Sequence, residues 1–409
     1  MMAVPPSRYR LVPMRPRNPH EPGRTASSLE LFFDLVFVVA VSIASVQLHH
    51  ELTEGHIFEG VVTYAFVFFG IWWAWVNFTW FATSFDTGDW LYRLMTIVQM
   101  GGVLVLASGI EPVFEDHDLT LVVLSYVLMR FALVAQWLRA ARAGGDTRRP
   151  ALTYAAGVTL VQILWLAGLL LPADVLPVAF LILVAAELTV PVAAERRGGT
   201  PWHPHHLAER HGLFALILLG ESLLASANAI IEALREAEAL GPLIMISALT
   251  LIVTAGLWWI YFWAPHHSTI DGFSKTFLYG YGHYFVFAAA GAFSAGIEVE
   301  IDVLTGHSEL HPPGASFAYT VPIAVFMLGV WLLVIRPVAN GVINAVVPAG
   351  ALLVLIDPII PVPAALTAVF LIVVVVVLVW QEPKIEAAAA TAVGSDDRDR
   401  RSDGSTAAP

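Results

Sequence analysis

Residues 60–82 read G-V-V-T-Y-A-F-V-F-F-G-I-W-W-A-W-V-N-F-T-W-F-A, and none of them is charged. At 1.5 Å per residue such a run reaches across the ~30 Å hydrocarbon core of a bilayer as one helix. Its central pair, Trp72-Trp73, occurs once more as Trp258-Trp259, 186 residues downstream. Leu91-Tyr92 recurs as Leu278-Tyr279, and Gly109-Ile110-Glu111 as Gly296-Ile297-Glu298, both displaced by 187 residues. Matches in one order at nearly one spacing imply two related, mostly apolar halves, an arrangement common in membrane transporters and channels.

Composition supports the same class. Hydrophobic residues make up 57% of the chain and charged residues 13%. A soluble domain carries about 25% charged residues, so this chain could not cover a water-facing surface. With no cysteine, disulfides, thiolate metal sites and a cysteine nucleophile are excluded. The net charge of −12 says little, because in a membrane protein its distribution matters more than its sum.

Twelve apolar segments can be drawn, near 29–48, 60–82, 91–110, 119–141, 151–171, 174–194, 207–231, 242–264, 277–298, 317–335, 341–357 and 364–380. The loops test that number. With the N-terminus inside, one set of connections holds Arg93, Arg139, Arg142, Arg148, Arg149, Arg196, Arg197, Arg210, Lys275 and Arg336. The other holds Glu51, Glu54, Glu59, Glu115, Asp116, Asp118, Asp174, Glu232, Glu236, Glu238, Glu300, Asp302 and Glu309. Only Arg235 is on the wrong side, and only Arg130 lies in the middle of a span. The positive-inside rule is met at nearly every turn. The expected fold is an all-α integral membrane protein of about twelve transmembrane helices in the cytoplasmic membrane. Both termini are cytoplasmic, and the spans form two parallel six-helix repeats, 29–200 and 201–381. Residues 1–28, rich in Arg and Pro, read as a cytoplasmic tail, and 382–409 as a disordered one.

The first span opens Ser27-Ser28-Leu29-Glu30-Leu31-Phe32-Phe33-Asp34-Leu35-Val36-Phe37-Val38. The seventh opens Glu209-Arg210-His211-Gly212-Leu213-Phe214 and continues to Leu219-Gly220-Glu221-Ser222. The second ends Thr79-Trp80-Phe81 and leads to Phe85-Asp86-Thr87. Together these resemble the bacterial low temperature requirement A family of polytopic membrane proteins, over roughly residues 26–381. The resemblance marks Glu30, Phe33, Asp34, Asp86, Glu209, Arg210, Gly220 and Glu221 as motif residues. The family name records a growth phenotype and defines no reaction. His211 and Ala82 stand where the family leads one to expect more polar or bulkier residues. The run from Phe32 is also similar to the F-S-D motif that opens the first helix of certain potassium channels built from six-helix repeats. Here Phe33 replaces the motif serine, and the seventh span lacks the motif.

Several polar residues fall inside spans. Ser27 and Glu30 are spaced as a capping box, and Asp34 sits one turn deeper on the same face, where the helix dipole also favours it. Glu221, Arg130 and Glu187 lie deep. A charge there costs at least ~2.5 kcal/mol on insertion scales, so each must find a partner or water. The expectation is an Arg130–Glu221 pair, with Glu187 as the alternative partner; the reading is either a structural tie or a transport path that also includes Asp34. Asn77, Gln99, Gln162, Asn228 and Asn344 read as glue between helices, with Asn228 sharing a face with Glu221. His203, His205, His206 and His211, with His266 and His267, read as a solvated histidine-rich loop region. Their spacing fits no established zinc motif, so no metal and no cofactor is expected. Trp72 and Trp73 are expected at the interface of the repeats, and Pro348 with Gly350 marks a candidate helix break.

The expected function is movement of an ion or small solute. The alternatives are a membrane enzyme acting on lipid, or a sensor or scaffold with no transported substrate. Expected partners are the bilayer and the solute, with self-association left open. No basic aromatic surface suits nucleic acid.

Overall fold

A computed structural model describes residues 11–172, 175–196, 198–236, 240–311, 313–360 and 364–382, without the side chains of 229, 232, 233, 235, 236 and 240. Arg197, Asp174, Arg235, the acidic group near Glu236 and the C-terminal tail therefore lie outside what is described. The helices are α1 (Ser28–Thr53), α2 (Ile57–Phe85), α3 (Trp90–Ser108), α4 (Ile110–Glu115), α5 (Thr120–Arg142), α6 (Arg148–Gly168), α7 (Leu176–Glu195), α8 (Pro204–Glu236), α9 (Leu240–Phe262), α10 (Gly272–Thr305), α11 (Gly314–Val330), α12 (Gly341–Ile356) and α13 (Ala364–Glu382). Among the described residues, twelve helical segments are long and apolar enough to cross a membrane, each close to one of the twelve apolar segments in the sequence.

The packing puts α1 in the middle, against α2, α3, α8 and α10. The 34-residue α10 covers the other side of the centre and packs on α1, α8 and α11. The outward faces are apolar: Phe58, Phe131, Leu170 and Ile359 are among the most exposed side chains. In water such a surface would be untenable, whereas lipid tails cover it at no cost.

Contacts between the connections sort them onto two faces, residues 11–27 with Ala82, Thr83 and Asp89 on one, and Glu309 with Thr53 and His117 with Glu59 on the other. One carries the residues 11–27 and the arginines, and we call it the basic face. Here the chain is knitted together. Arg24 is buried, and its guanidinium donates to the carbonyls of Thr83 and of Ala82 (3.0 Å) at the end of α2. This is where a helix has unpaired acceptors and the negative end of its dipole. Arg139 bonds Asp89, the N-cap of α3, and the carbonyl of Val12 at 2.7 Å. Met14 is buried. The segment expected as a tail is thus docked from residue 12 to residue 27. Asp86 accepts from the Gly88 amide at 2.9 Å, and its burial raises its carboxyl above the usual range. The opposite, acidic face carries Glu54, Glu59, Glu115, Asp116, Asp118 and Glu309.

Where helices cross closely, small residues decide it, since apolar burial does not drive association in lipid. The duplicated Gly-Ile-Glu triplets sit at two such crossings. A Cβ on Gly296 would lie 2.6 Å from Cα of Tyr319, and closer still to the Ala318 carbonyl. These are backbone atoms, and α10 would have to part from α11. A Cβ on Gly109 would lie 2.8 Å from the Leu121 side chain and 3.1 Å from the Val122 nitrogen, at the entry to α5. Gly296→Ala is expected to destabilise by about 1–3 kcal/mol, the usual cost of overpacking, and Gly109→Ala by less. Melting of both variants in detergent checks the order; a Gly296→Ala protein as stable as the parent would refute it.

Two expectations need correction. α12 runs unbroken through Pro348; the irregular turn is instead a π-helical one at Trp331–Ile335. Proline inside a membrane helix is tolerated when neighbours satisfy the freed carbonyl. Trp258 and Trp259 are exposed on α9, while Trp72 and Trp73 are buried and pack edge-on against Tyr281 of α10. Trp72 and Trp73 thus stand where α2 meets α10, and the exposed Trp pair does not share that environment. Finally, Arg210 is not a loop charge: α8 begins at Pro204 and carries it inside.

Candidate functional site

Two buried charge clusters account for most of the polar residues singled out in the spans. The first joins the two sequence motifs. Ser27 caps α1, its hydroxyl accepting from the Glu30 amide while its own amide donates to Glu30 Oε2 at 2.8 Å. The other Glu30 oxygen faces α8, where Arg210 NH1 donates at 3.0 Å and His206 Nε2 lies 3.1 Å away. One turn on, Asp34 takes the Arg210 fork: Nε to Oδ2 at 3.0 Å and NH2 to Oδ1 at 2.6 Å. Trp75 Nε1 donates to Asp34 Oδ1 at 2.6 Å. All three ionised groups are at most 1% exposed. Arg210 also lies over the rings of Trp75 and Phe78. Glu209 turns away and accepts from the Ala26 amide at 2.9 Å. The bidentate geometry fixes α8 against α1. Every carboxylate oxygen here has a donor, so this cluster is a clamp between helices. Phe33 packs against Phe37 and Phe78 beside it.

The second cluster lies within α2, α5 and α7. Arg130 NH2 meets Glu187 Oε2 at 3.3 Å, and Trp73 Nε1 donates to the same oxygen at 2.8 Å. Arg130 stacks on Tyr126, whose hydroxyl donates to the Gly70 carbonyl. Of the two partners expected for Arg130, the structure brings Glu187 and not Glu221. Glu221 is on α8, away from α5, which packs on α2, α3 and α6.

Glu187 forms the floor of a cavity of about 700 Å³. Its walls come from α2, α5, α6 and α7, with Phe66, Phe69, Trp165, Leu176 and Phe180 among them, and Glu59, Asp116 and His117 stand at the acidic face. On α2 the lining extends from Phe58 to Trp73, a rise of about 22 Å at 1.5 Å per residue. Glu187 is 2% exposed, and its Oε1 has no hydrogen-bond partner. Asp34 does not line this cavity.

Glu221 is buried and makes no ion pair among the described residues, but lies within electrostatic reach of Glu298. His49 on α1 bridges Glu298 (3.4 Å) and Asp302 (2.7 Å) on α10. Asn228 is exposed; seven residues keep it on the face of Glu221 but carry it about 10 Å along the helix, beyond the cover of the neighbours. Asn77 bonds its own helix, at the Trp73 carbonyl, and Asn344 takes the Trp331 indole at 2.9 Å.

Most of these histidines are not solvated. His203, His206 and His266 are buried, and only His205 and His267 stack near the surface. Carbonyls hold most of them: His203 Nε2 donates to Glu21 O at 2.9 Å, His266 Nε2 to Tyr261 O at 2.6 Å and His283 Nδ1 to Tyr279 O at 2.7 Å. Each neutral ring then offers its other nitrogen as an acceptor. His266 Nδ1 takes the Tyr279 hydroxyl at 2.9 Å and His283 Nε2 the Tyr261 hydroxyl at 3.2 Å. His211, at the unusual motif position, bonds its own helix at Leu207 O. Among the described residues, no three of His, Asp and Glu converge as metal ligands.

His266 lies in the connection between α9 and α10, and burial lowers its pKa from 6.5 to about 4. Between those values the unfolded chain binds the extra proton. The neutral ring therefore contributes fully above pH 6.5, and the contribution is lost as pH falls through 4, on the order of 3 kcal/mol in all. Melting temperatures are expected to drop across that window, and to drop less in His266→Gln. An equal pH dependence in the variant would count against this.

Residues 25–380 match the family described as bacterial low temperature requirement A protein. An uncharacterized protein of Rhizobium meliloti (strain 1021) is 29% identical over 275 residues, 63% of this chain. The chain spans 65% of that relative's length. The chain belongs to the bacterial low temperature requirement A family and is a polytopic membrane protein.

Proposed function

From membership of that family and from the cavity above Glu187, we propose that the protein moves an ion or small solute across the cytoplasmic membrane. The carrying observation is the cavity itself. It leads about 22 Å from the acidic face to a buried carboxylate with a free acceptor oxygen. A purely structural ion pair needs no such access. In this reading Glu187 and Arg130 form the loading site, open toward the outside. Glu221, buried without an ion-pair partner among the described residues, is the group that couples movement to protons. Asp34 keeps α1 and α8 together beside the path.

Two further features belong to the same proposal. The arginine-bearing face is cytoplasmic, as the positive-inside rule requires. The chain is a parallel duplication with the halves meeting at 200/201. Helix bounds support this: displaced by 187 residues, Leu176–Glu195 falls on Ala364–Glu382, and Asp34 falls on Glu221.

The test is flux into proteoliposomes across a panel of inorganic and organic ions. Protein-dependent flux is expected for at least one, and Glu221→Gln is expected to abolish it while leaving insertion and melting unchanged. Flux indistinguishable from empty liposomes across the panel would sink the transport reading. Normal flux in Glu221→Gln would remove that residue from it.

A further inference from the structure

We propose that the cavity between α2, α5, α6 and α7 binds a hydrophobic organic cation, an aromatic or branched apolar body with one ammonium group that donates to Glu187. As a transported substrate this cation rests on the transport reading; as a bound ligand it does not.

The sign of the ligand's charge follows from what the cavity presents. Three carboxylates line it, Glu59, Asp116 and Glu187, and no lysine or arginine does. His117 also lines it, and its Nε2 already faces Glu59 at 3.3 Å. Arg130 stands behind Glu187 and contributes nothing to the wall. It engages only Oε2, the oxygen that Trp73 also holds. Oε1 is left buried with its acceptor capacity unused. Buried carboxylate oxygens are ordinarily satisfied, and an N–H donor from a ligand is the group that would complete this one. An anion would meet like charge at the floor and at the mouth.

The walls decide the rest. Aromatic faces surround the route to the floor, among them Phe66, Phe69, Trp73, Tyr126 and Phe180, and such faces attract ammonium groups. The Tyr126 hydroxyl is committed to the Gly70 carbonyl, so that wall offers a ring. A hydrated inorganic cation needs a shell of oxygens, and among the described residues the floor offers one carboxylate. A neutral lipid chain would fill the walls and leave Oε1 unpaired. The volume of about 700 Å³ suits a small organic molecule, for which pockets run about 300–1,000 Å³.

The experiment is calorimetric titration of the full chain in detergent with 2-phenylethylammonium, 2-phenylethanol and 3-phenylpropionate at pH 7. The ammonium compound is expected to bind at least tenfold more tightly than the alcohol, and the propionate least. Glu187→Gln is expected to erase the preference for the ammonium. Gly70→Leu supplies a second arm that keeps the carboxylate. The nearest atoms to a Cβ there are those of Tyr126 at 3.9 Å, so the longer side chain extends into the cavity. Loss of ammonium binding in that variant supports the assignment even if Glu187→Gln fails to fold. Equal affinity for alcohol and ammonium, or unchanged binding in Gly70→Leu, overturns it and makes the cavity a lipid-filled groove. Binding without flux of 2-phenylethylammonium would refute it as substrate and leave the ligand class standing. Flux of another ion, with no binding of 2-phenylethylammonium, would leave transport standing and refute the ligand class.

Discussion

Arg210→Ala is expected to yield almost no monodisperse protein. Glu30 and Asp34 are at most 1% exposed, and among the described residues Arg210 is the only Lys or Arg that pairs with them. Removing it strands two carboxylates in a low-dielectric interior. Breaking one buried pair costs about 3–5 kcal/mol. Two such losses approach the whole stability of a typical domain, about 5–15 kcal/mol. The remaining partners, the Ser27 amide and His206 Nε2 (3.1 Å) at Glu30 and the Trp75 indole at Asp34, were in place already, and none replaces the fork on Asp34. Arg210→Lys is the informative companion. It restores the charge, but an ammonium cannot supply the Nε, NH1 and NH2 contacts at once. Intermediate recovery and a lowered melting temperature are expected. Fluorescence-detected size-exclusion chromatography reads both, and an Arg210→Ala protein eluting and melting like the parent would refute the clamp.

Arg130→Ala is expected to destabilise by about 3–5 kcal/mol, because Glu187 is then a buried charge with only the Trp73 indole for company. The paired change Arg130→Met with Glu187→Gln should recover most of that loss. Methionine fills the volume over Tyr126, and the glutamine carbonyl still accepts from Trp73. Buried ion pairs replaced by neutral groups are often neutral or stabilising. If the double variant melts no higher than Arg130→Ala, the pair is not the reason for the loss, and repacking around Tyr126 is.

Sequence alone carried the twelve apolar helices well, because the length and apolarity of a span are local properties. The capping box at Ser27 and Glu30 was legible for the same reason. Arg130 was narrowed to two partners by depth, and depth could not choose between α7 and α8. The clamp was hidden. Asp34 and Arg210 are 176 residues apart, and the polar stretch before Arg210 reads as loop. Only the start of α8 at Pro204, stapled by His203 to Glu21 and Thr83, draws Arg210 inside. The indole donors Trp73 and Trp75 were hidden too. In a run of aromatic residues nothing local says which ring nitrogens meet carboxylates on other helices.

The separation between Asp34 and Arg210 bears on how the chain is made. A ribosome adds about 5–20 residues per second, so roughly 10–35 s pass between synthesis of the first span and arrival of its counterion. Through that interval Glu30 and Asp34, in the first two turns of α1, have no guanidinium partner, and unpaired carboxylates are cheapest where they reach interfacial water. The N-terminal end of the first helix therefore cannot take its final buried place until the eighth emerges. Closure of the α1–α8 contact becomes a late event in biogenesis, and truncation of the nascent chain before Arg210 leaves α1 as a substrate for quality control.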